Sequence, residues 1–483
     1  MSKARGTIRL PVTDVHWKVV EQWMEPELQP GFEHVSEEAM EAFRDLKFGV
    51  RIHWGLYSFE GLQRESWPFL DISDAGKQAY LDRCRTFNPR QFDADAWMKL
   101  FAEAGMRVFA FTTKHHEGFS LFDTTTRVKR RIQWDAPGGP RIVDCNLAYS
   151  VTESPYRKDI VRELCDAARR RDIKIDLYFS HPDWYDADFR PYCYHPANTP
   201  GMRDHPELWG GVPSKNNAPV RFPDPTPEET ARAMERHRAQ LKELLSNYGA
   251  IDAVCLDMWL GANVWPHTRE TVRELRRLQP NAMLRCRGIG SYGDYYTPEG
   301  FVPGSRENTD MPWMVIYPLG RSFSWEPDAG QHKGGPWIVR NLVDAVSKGG
   351  SFMVGVGPDA EGAWHPSVVE NFSWAGSWLK VNGEGIYGTR ARDGDLWHEG
   401  DTLRFTRSKD NRVTYAFSMG WPGRSLALRS VSPRPGAEVR MLGTEHALRW
   451  TADPQGGIVI DIPEALQDEV RRPCREAFCF RIG

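Results

Sequence analysis

A (β/α)8-like barrel of the TIM type, followed by a C-terminal antiparallel β-sandwich, is the α/β architecture that this 483-residue sequence predicts. Three observations predict it. From residue 46, short apolar runs bounded by turn residues alternate with helical stretches over about 340 residues, the texture of a chain that winds strand and helix in turn. No G-x-G-x-x-G follows the first run and no G-x-x-x-x-G-K-[ST] occurs, which removes the usual nucleotide-binding reasons for an open doubly wound sheet. After about residue 390 the pattern changes to brief alternating strands split by Gly, Pro, Asn and Asp, as in a sandwich with one wet and one buried face.

The elements follow in order. Residues 1–45 read as a polar, irregular leader packed on the barrel. The candidate strands are KFGVRIHWG (47–55), RVFAFTTKHH (107–116), IKIDLYFS (173–180), IDAVCLDMW (251–259), AMLRCRG (282–288) and SFMVGVGP (351–358). Each is short and apolar on both faces, as buried parallel strands are. Helices are expected over 93–106, 159–172, 227–249 and 268–280. The second starts at Asp159 and carries Ile160, Leu164 and Ala167 on one face; the third opens on Pro227 and acidic residues, which suit a helix N-terminus. The barrel spans 46–388. The sandwich, 389–483, includes TLRFTRS, RVTYAFSMGW, SLALRSV, EVRMLG, LRWTAD, GIVIDIP and EAFCFRI, fused near YGTRARDGD (387–395) with almost no linker.

Composition excludes several function classes. Lys plus Arg number 62 and Asp plus Glu 65, a formal charge of −3; a nucleic-acid binder needs a basic face to neutralise phosphates. No run of about 18 apolar residues is present, so no membrane span is expected. The N-terminus shows no apolar signal core, which makes the cytoplasm the default compartment. Eight cysteines lie scattered without a C-x-x-C, as reduced thiols do. Nineteen Trp, 15 Tyr and 23 Phe make 12% of the chain aromatic, a load that fills a large core or lines a site stacking on sugar rings.

Barrel enzymes work at the C-terminal ends of their strands. There the first strand brings His53 and Trp54, the second His115, His116 and Glu117, and the third Tyr178 and Ser180. The fourth brings Asp257 followed by Met258 and Trp259, the fifth Arg285 and Arg287, and the loop 291–300 Glu299. Asp257 lies inside the apolar run AVCLDMW, where a carboxylate is costly unless paired or functional. Neighbouring strand residues face opposite ways, so at most one of His115 and His116 enters the barrel unless the strand bends. H-x-H and H-E-x-x-H are both absent, and no metal is expected; a metal-dependent hydrolase built on His53, His115 and Asp257 is the competing enzyme reading. No G-x-S-x-G elbow exists. Cys255 shares a face with Asp257 by parity and reads as a small buried residue. Two carboxylates, no cofactor motif and an aromatic pocket suit glycoside hydrolysis, in which one carboxylate attacks or activates water and the other protonates the leaving oxygen.

At these residues the chain resembles the retaining α-L-fucosidases of glycoside hydrolase family 29. The segments that carry the resemblance are KFGVRIHWGLYS, AGMRVFAFTTKHHEGFSLFDT, SPYRKDIVRELCDAARRRDIKIDLYFS, LVDAVSKGGSFMVGVGPDAEG and WLKVNGEGIYGTR. The resemblance implies the same barrel and sandwich, an exo-acting retaining α-L-fucosidase without a cofactor, and a fucosylated oligosaccharide or glycoconjugate as partner. Asp257 takes the nucleophile's position, and Glu299 that of the general acid/base of some members. His53, His115, His116 and Tyr178 match positions that hydrogen-bond the sugar hydroxyls. Trp67 matches a pocket aromatic, Arg287 an arginine near the acid/base, and Met258 and Phe323 positions packed against the fucose C5 methyl. Trp54, Trp67, Tyr178, Trp259 and Phe323 are the aromatics expected at strand ends or pocket loops.

Three positions depart from the pattern. Arg51 replaces an aromatic two residues before His53 and reads either as an arginine paired with a barrel carboxylate or as a pocket cation that alters substrate choice. Ser66 stands directly before Trp67 where the family commonly has Glu, with Glu65 one step further. Cys255 stands where a Trp is common. These departures keep an altered-specificity glycosidase, or a glycan-binding protein on the same scaffold, as the alternative. Homo-oligomerisation is left open by the sequence.

Overall fold

The structure, a computed structural model, describes residues 28–59, 64–189, 222–223, 225–258, 260, 264–306, 311–434 and 436–483. The part before the C-terminal sheets is organised on parallel strands: β1 (Phe48–Ile52), β2 (Val108–Lys114), β5 (Lys174–Ser180), β6 (Ala253–Asp257), β7 (Met283–Leu284), β8 (Met314–Pro318) and β9 (Ser351–Val356). An outlying hairpin of β3 (Val128–Gln133) and β4 (Arg141–Leu147) follows β2. The parallel sheet runs in the order β7-β6-β5-β2-β1-β9-β8. Between its edges lies the segment 295–299, joined to the residues after β7 by the Arg285–Tyr295 bridge and to the β8 side by the Tyr296–Trp313 and Glu299–Ile316 bridges, all parallel.

The helices, in chain order, are α1 (Glu37–Arg44), α2 (Asp74–Asp82), α3 (Ala94–Glu103), α4 (Ile160–Arg169), α5 (Pro227–Ser246), α6 (Trp265–Leu278), α7 (Gly335–Ser347) and α8 (Pro366–Asn382). Local chemistry starts them where the sequence indicates. Asp93 caps α3 and Asp159 caps α4, each accepting a backbone N–H at 2.9 Å. Thr226 and Glu229 close a reciprocal capping box at the head of α5, an arrangement that satisfies two of the donors a helix start leaves orphaned. Four helices (α1, α2, α7 and α8), the strand β8, the hairpin β3–β4 and the short strands Thr389–Ala391 and His398–Glu399 escape the periodicity reading. The apolar residues of α8 face both α3 and the C-terminal sheet, so no single stripe marks it. Residues 1–45 are not irregular throughout, because 37–44 form α1, with Met40 and Phe43 buried. Residues 1–27 lie outside the described part.

Strand parity sorts the residues into two cores. Phe48, Val50 and Ile52 face the helices, together with Phe109, Phe111, Leu177, Phe179, Val254 and Leu256. Val108, Ala110, Ala253, Met283, Met314, Ile316 and Met353 gather on the other face, plugged by Met40, Phe43 and Leu46 around α1. Trp54 follows the outer parity of Val50 and Ile52. Its ring packs on Phe87, Phe92 and Trp97 and its Nε1 donates to the Asp359 carbonyl, so it is a core residue and not a pocket aromatic.

The C-terminal part is antiparallel. Strands β10 (Thr389–Ala391), β11 (His398–Glu399), β12 (Leu403–Ser408), β13 (Thr414–Ser418), β15 (Val439–Met441) and β18 (Phe478–Ile482) form one sheet. Strands β14 (Ser425–Leu428), β16 (Trp450–Ala452) and β17 (Ile458–Asp461) form a second. Phe405, Ala416 and Phe480 of the first share one apolar core with Leu426, Leu428, Ile458 and Ile460 of the second. The C-terminal sheets also pack on the helical layer. Trp378 of α8 meets Phe417 and donates to the Glu476 carbonyl, and Arg404 pairs with Asp344 of α7 at 2.6 Å.

Candidate active site

The inner parity of β5 places Asp176, Tyr178 and Ser180 on one face, and that of β6 places Cys255 and Asp257 there. Ser180 is level with Asp257 at the C-terminal end of the sheet, Tyr178 is level with Cys255 below them, and Asp176 lies deeper still. The β7 ladder stops at Leu284. Arg285 and Arg287 therefore lie beyond it, where the chain is free to turn their side chains across the strand ends.

Asp257 is held by four groups. Arg287 Nη1 donates to Oδ1 at 2.7 Å, Arg285 Nη1 lies 3.4 Å from the same oxygen, the Tyr178 hydroxyl donates to Oδ2 at 2.6 Å, and His116 Nε2 stands 3.9 Å away. Burial disfavours its charge, yet the guanidiniums of Arg287 and Arg285, with His116 and Tyr178, hold the carboxyl well below the ordinary carboxylate range. Burial and the Asp257 charge push the Tyr178 hydroxyl far up, so it keeps its proton and remains a donor.

Glu299 shares the same cations. Its Oε1 accepts from Arg285 Nη2 at 2.7 Å and from Arg287 Nη1 at 3.1 Å. One guanidinium nitrogen, Arg287 Nη1, thus touches both carboxylates, at 2.7 and 3.1 Å. By the triangle rule the two oxygens are at most about 6 Å apart, near the separation of about 5–5.5 Å in retaining glycosidases. The environments differ, because the Asp257 side chain is 11% exposed and that of Glu299 31%.

Around the pair stand imidazoles and aromatic rings. His115 stacks parallel on Tyr178, with centroids 5.7 Å apart, and His53 meets Tyr178 and Phe323 at 5.4 Å each. Burial first, then neighbouring positive charge, holds His53 and His115 well below the usual histidine range, so both are neutral near pH 7 and each offers one acceptor nitrogen. His115 and His116 both reach the site. The pairing of β2 with β5 shifts register between Thr112 and Lys114, and the two histidines follow the strand's end, so strict alternation no longer applies. His116 packs against Trp67 at 4.8 Å and Trp184 at 5.2 Å.

The residues before Trp67 divide their work. Ser66 Oγ bonds His115 Nδ1, while Glu65, buried and pushed up to about 7 mainly by that burial, accepts the Phe323 backbone N–H at 2.9 Å. A serine thus meets the histidine, and the displaced carboxylate ties down the loop that carries Phe323. Met258 has φ +65° directly after Asp257, a left-handed backbone that a side chain adopts at a cost. Gly288, at φ +76°, leaves the Met258 carbonyl the room it needs: a Cβ there would sit 2.4 Å from that oxygen.

Every residue singled out for the site falls in this region, apart from Trp54, described above, and Trp259, which lies outside the described residues. Arg285 is underrated by the sequence. The sequence marks it only as a strand-end cation, whereas in the fold it contacts Asp257, Glu299 and Cys255. Trp184, Glu65 and Ser66 reach the site through loops whose direction no periodicity encodes. Among the described residues no group of three or more His, Cys, Asp or Glu side chains is arranged to hold a metal ion.

The sequence profile of the Alpha-L-fucosidase family matches residues 17–384. The chain belongs to the α-L-fucosidase family. Residues 399–483 match the family's C-terminal domain. This fucosidase-family chain is 27% identical over 471 residues to the plasma alpha-L-fucosidase of Rattus norvegicus, covering 92% of each chain. It is similar to the solved alpha-L-fucosidase isoenzyme 1 from Paenibacillus thiaminolyticus, with TM-score 0.70 and 26% identity over 92% of this chain and 98% of the other. A trapped covalent intermediate of a GH29 alpha-L-fucosidase from Bacteroides thetaiotaomicron, with TM-score 0.72 and 21% identity over 95% and 99% of the two chains, shares the fold.

Proposed function

We propose that this fucosidase-family protein is an exo-acting glycoside hydrolase that removes terminal α-L-fucosyl residues from glycans or glycosides with net retention. Asp257 attacks the anomeric carbon and forms a glycosyl-enzyme as Glu299 gives its proton to the leaving oxygen. Glu299 then takes a proton from water, which cleaves the intermediate and frees Asp257. The observation that carries this reading is the single nitrogen, Arg287 Nη1, that bridges Asp257 and Glu299. Two oxygens held by one nitrogen lie at most about 6 Å apart, which supports the closer spacing of a retaining pair over the wider one of an inverting pair.

The environments suit the two roles. Asp257 is ionised and fixed by three donors. Glu299 is the wetter carboxylate, as a group that must meet both a leaving group and water needs to be. Its two arginine partners favour its charged form, so the reading requires entry of substrate to weaken those contacts before Glu299 acts as an acid. Neutral His53 and His115, with His116, Tyr178 and Trp67, are the candidate hydroxyl- and ring-binding groups, and Phe323 and Met258 offer apolar surface for the C5 methyl.

We further propose that the segment 295–299 completes the sheet as the eighth staves of a closed (β/α)8 barrel spanning 46–388, and that 389–483 is a β-sandwich. The three parallel bridges and the core shared by the two C-terminal sheets support this.

The test is hydrolysis of an aryl α-L-fucoside followed by NMR from the first seconds. Initial release of α-L-fucose supports retention, and initial release of the β anomer overturns it. Aryl galactosides as controls measure how closely the pocket demands the methyl group.

A further inference from the structure

Beneath the carboxylate pair lies a second polar layer that the reaction as described does not use. Arg51, on β1, is 1% exposed. Its Nη2 donates to Cys255 Sγ at 2.5 Å, and Arg285 Nη1 donates to the same sulfur at 3.2 Å. The Arg51 guanidinium also stands 5.0 Å from the centre of the Tyr178 ring. Both contacts lead upward: Cys255 through Arg285 to Asp257 and Glu299, and Tyr178 to Asp257.

A buried guanidinium is expensive unless it is compensated, and a thiol sulfur is a weak acceptor. Cys255 therefore does not account for an arginine at this depth. The groups facing Arg51 are Asp176 and Tyr178 from β5, Cys255 from β6, Arg285 after β7, Tyr295 from the bridging segment and His53 just after its own strand. Asp176 is the carboxylate on this face, pushed up to about 6 by burial and drawn down by Arg51 and Arg285, and Tyr178 offers a ring face that attracts a cation. The Arg51–Cys255 pair spans 204 residues of sequence, so it is a product of the assembled sheet.

We propose that Arg51 is a positioning residue for the hydrolytic reaction, a buried cation that holds the carboxylate pair from below through Cys255 and Arg285 on one side and through Tyr178 on the other. The proposal rests on the reading of Asp257 and Glu299 as the reacting pair. Two consequences separate it from a role in folding alone. Loss of the cation loosens groups that act in the transition state, so kcat falls more than KM rises. Burial comes first in keeping His53 and His115 neutral; Arg51 adds to it at His53, and His116 and Arg51 add to it at His115, against the opposite pull of Asp257 and Glu299. Removing Arg51 therefore shifts both histidines toward protonation at higher pH and moves the acid limb of activity upward.

The experiment measures kcat, KM and their pH dependence on an aryl α-L-fucoside for the full-length protein and for Arg51→Met, Arg51→Lys and Cys255→Ala, with Tm alongside. Arg51→Met is expected to lower kcat about tenfold or more, to change KM less than about threefold and to raise the acid limb. Arg51→Lys is expected to return the acid limb and part of kcat. Cys255→Ala leaves the charge and cuts the link to Arg285, so kcat falls several-fold while the acid limb stays. Arg51→Met with unchanged kcat or an unmoved acid limb, or a loss that Lys does not relieve, overturns the proposal whatever happens to Tm. If Arg51→Met does not fold, Cys255→Ala decides, and wild-type kcat in that variant overturns the proposal. Wild-type protein inactive on aryl α-L-fucosides would overturn the hydrolase reading itself, which is a different result from any variant failing against an active parent.

Discussion

Replacing Arg287 with Met tests the bridge between the two carboxylates most directly. The methionine keeps much of the stem and removes the nitrogen that touches Asp257 at 2.7 Å and Glu299 at 3.1 Å. The arginine side chain is 3% exposed, so water does not replace the lost cation. Removing one partner of a buried ion pair costs about 3–5 kcal/mol. Arg285 still reaches both carboxylates, at 3.4 and 2.7 Å, which favours the lower end. If about 3 kcal/mol is lost from the transition state, kcat/KM falls by roughly two orders of magnitude. The sign with pH follows from Asp257. Burial raises its pKa and Arg287 is the foremost influence lowering it, so without Arg287 the carboxyl protonates at higher pH and the acid limb of kcat/KM moves up. The assay is initial-rate hydrolysis of an aryl α-L-fucoside across the acid and neutral range. Arg287→Lys should recover some of the loss, because a point charge compensates one carboxylate better than it bridges two. An Arg287→Met enzyme within about tenfold of wild type, with an unmoved acid limb, would refute the reasoning.

Asp257→Asn should nearly abolish turnover, and substantial residual hydrolysis in a clean preparation would remove Asp257 from the nucleophile role. For Glu299→Ala, azide should restore turnover and yield a fucosyl azide with the substrate's own anomeric configuration; failure of rescue moves the acid/base to another group. Activity should survive exhaustive chelation, and a loss reversed by one added divalent metal would favour the metal-dependent reading. Gly288→Ala places a Cβ 2.4 Å from the Met258 carbonyl at φ +76°; it should cost about 1–3 kcal/mol of stability, seen as a fall of several degrees in Tm, and an unchanged Tm would show that the Met258 turn has slack.

Much of this molecule is legible in a linear reading, and what is missed follows a pattern. The strands that carry His53, Tyr178 and Asp257 are plain because they are short apolar runs between turns. The strand Met314–Pro318 and the helix Pro366–Asn382 are missed because each is apolar toward more than one neighbour and so lacks a single face. Trp54 follows the outward parity of Val50 and Ile52, so its place at a strand end does not make it a pocket ring. His115 and His116 needed the register shift between β2 and β5, which is a property of two strands together. Glu65 and Ser66 are read as a slipped motif, whereas the folded loop gives them different partners, the Phe323 amide and the His115 ring.

The sequence by itself determined the family, the alternation of strand and helix, and the inward parity that lines up Arg51 with His53 and Cys255 with Asp257. Such information is local, because side-chain direction repeats every second residue along a strand. Tertiary structure alone decided which of these groups touch: that one arginine nitrogen bridges Asp257 and Glu299, that Arg285 ties this pair to Cys255, and that Arg51 lies under Tyr178. Those contacts depend on the stagger between strands, on a register shift and on loops crossing the sheet's end, and all three arise only when distant segments pack together.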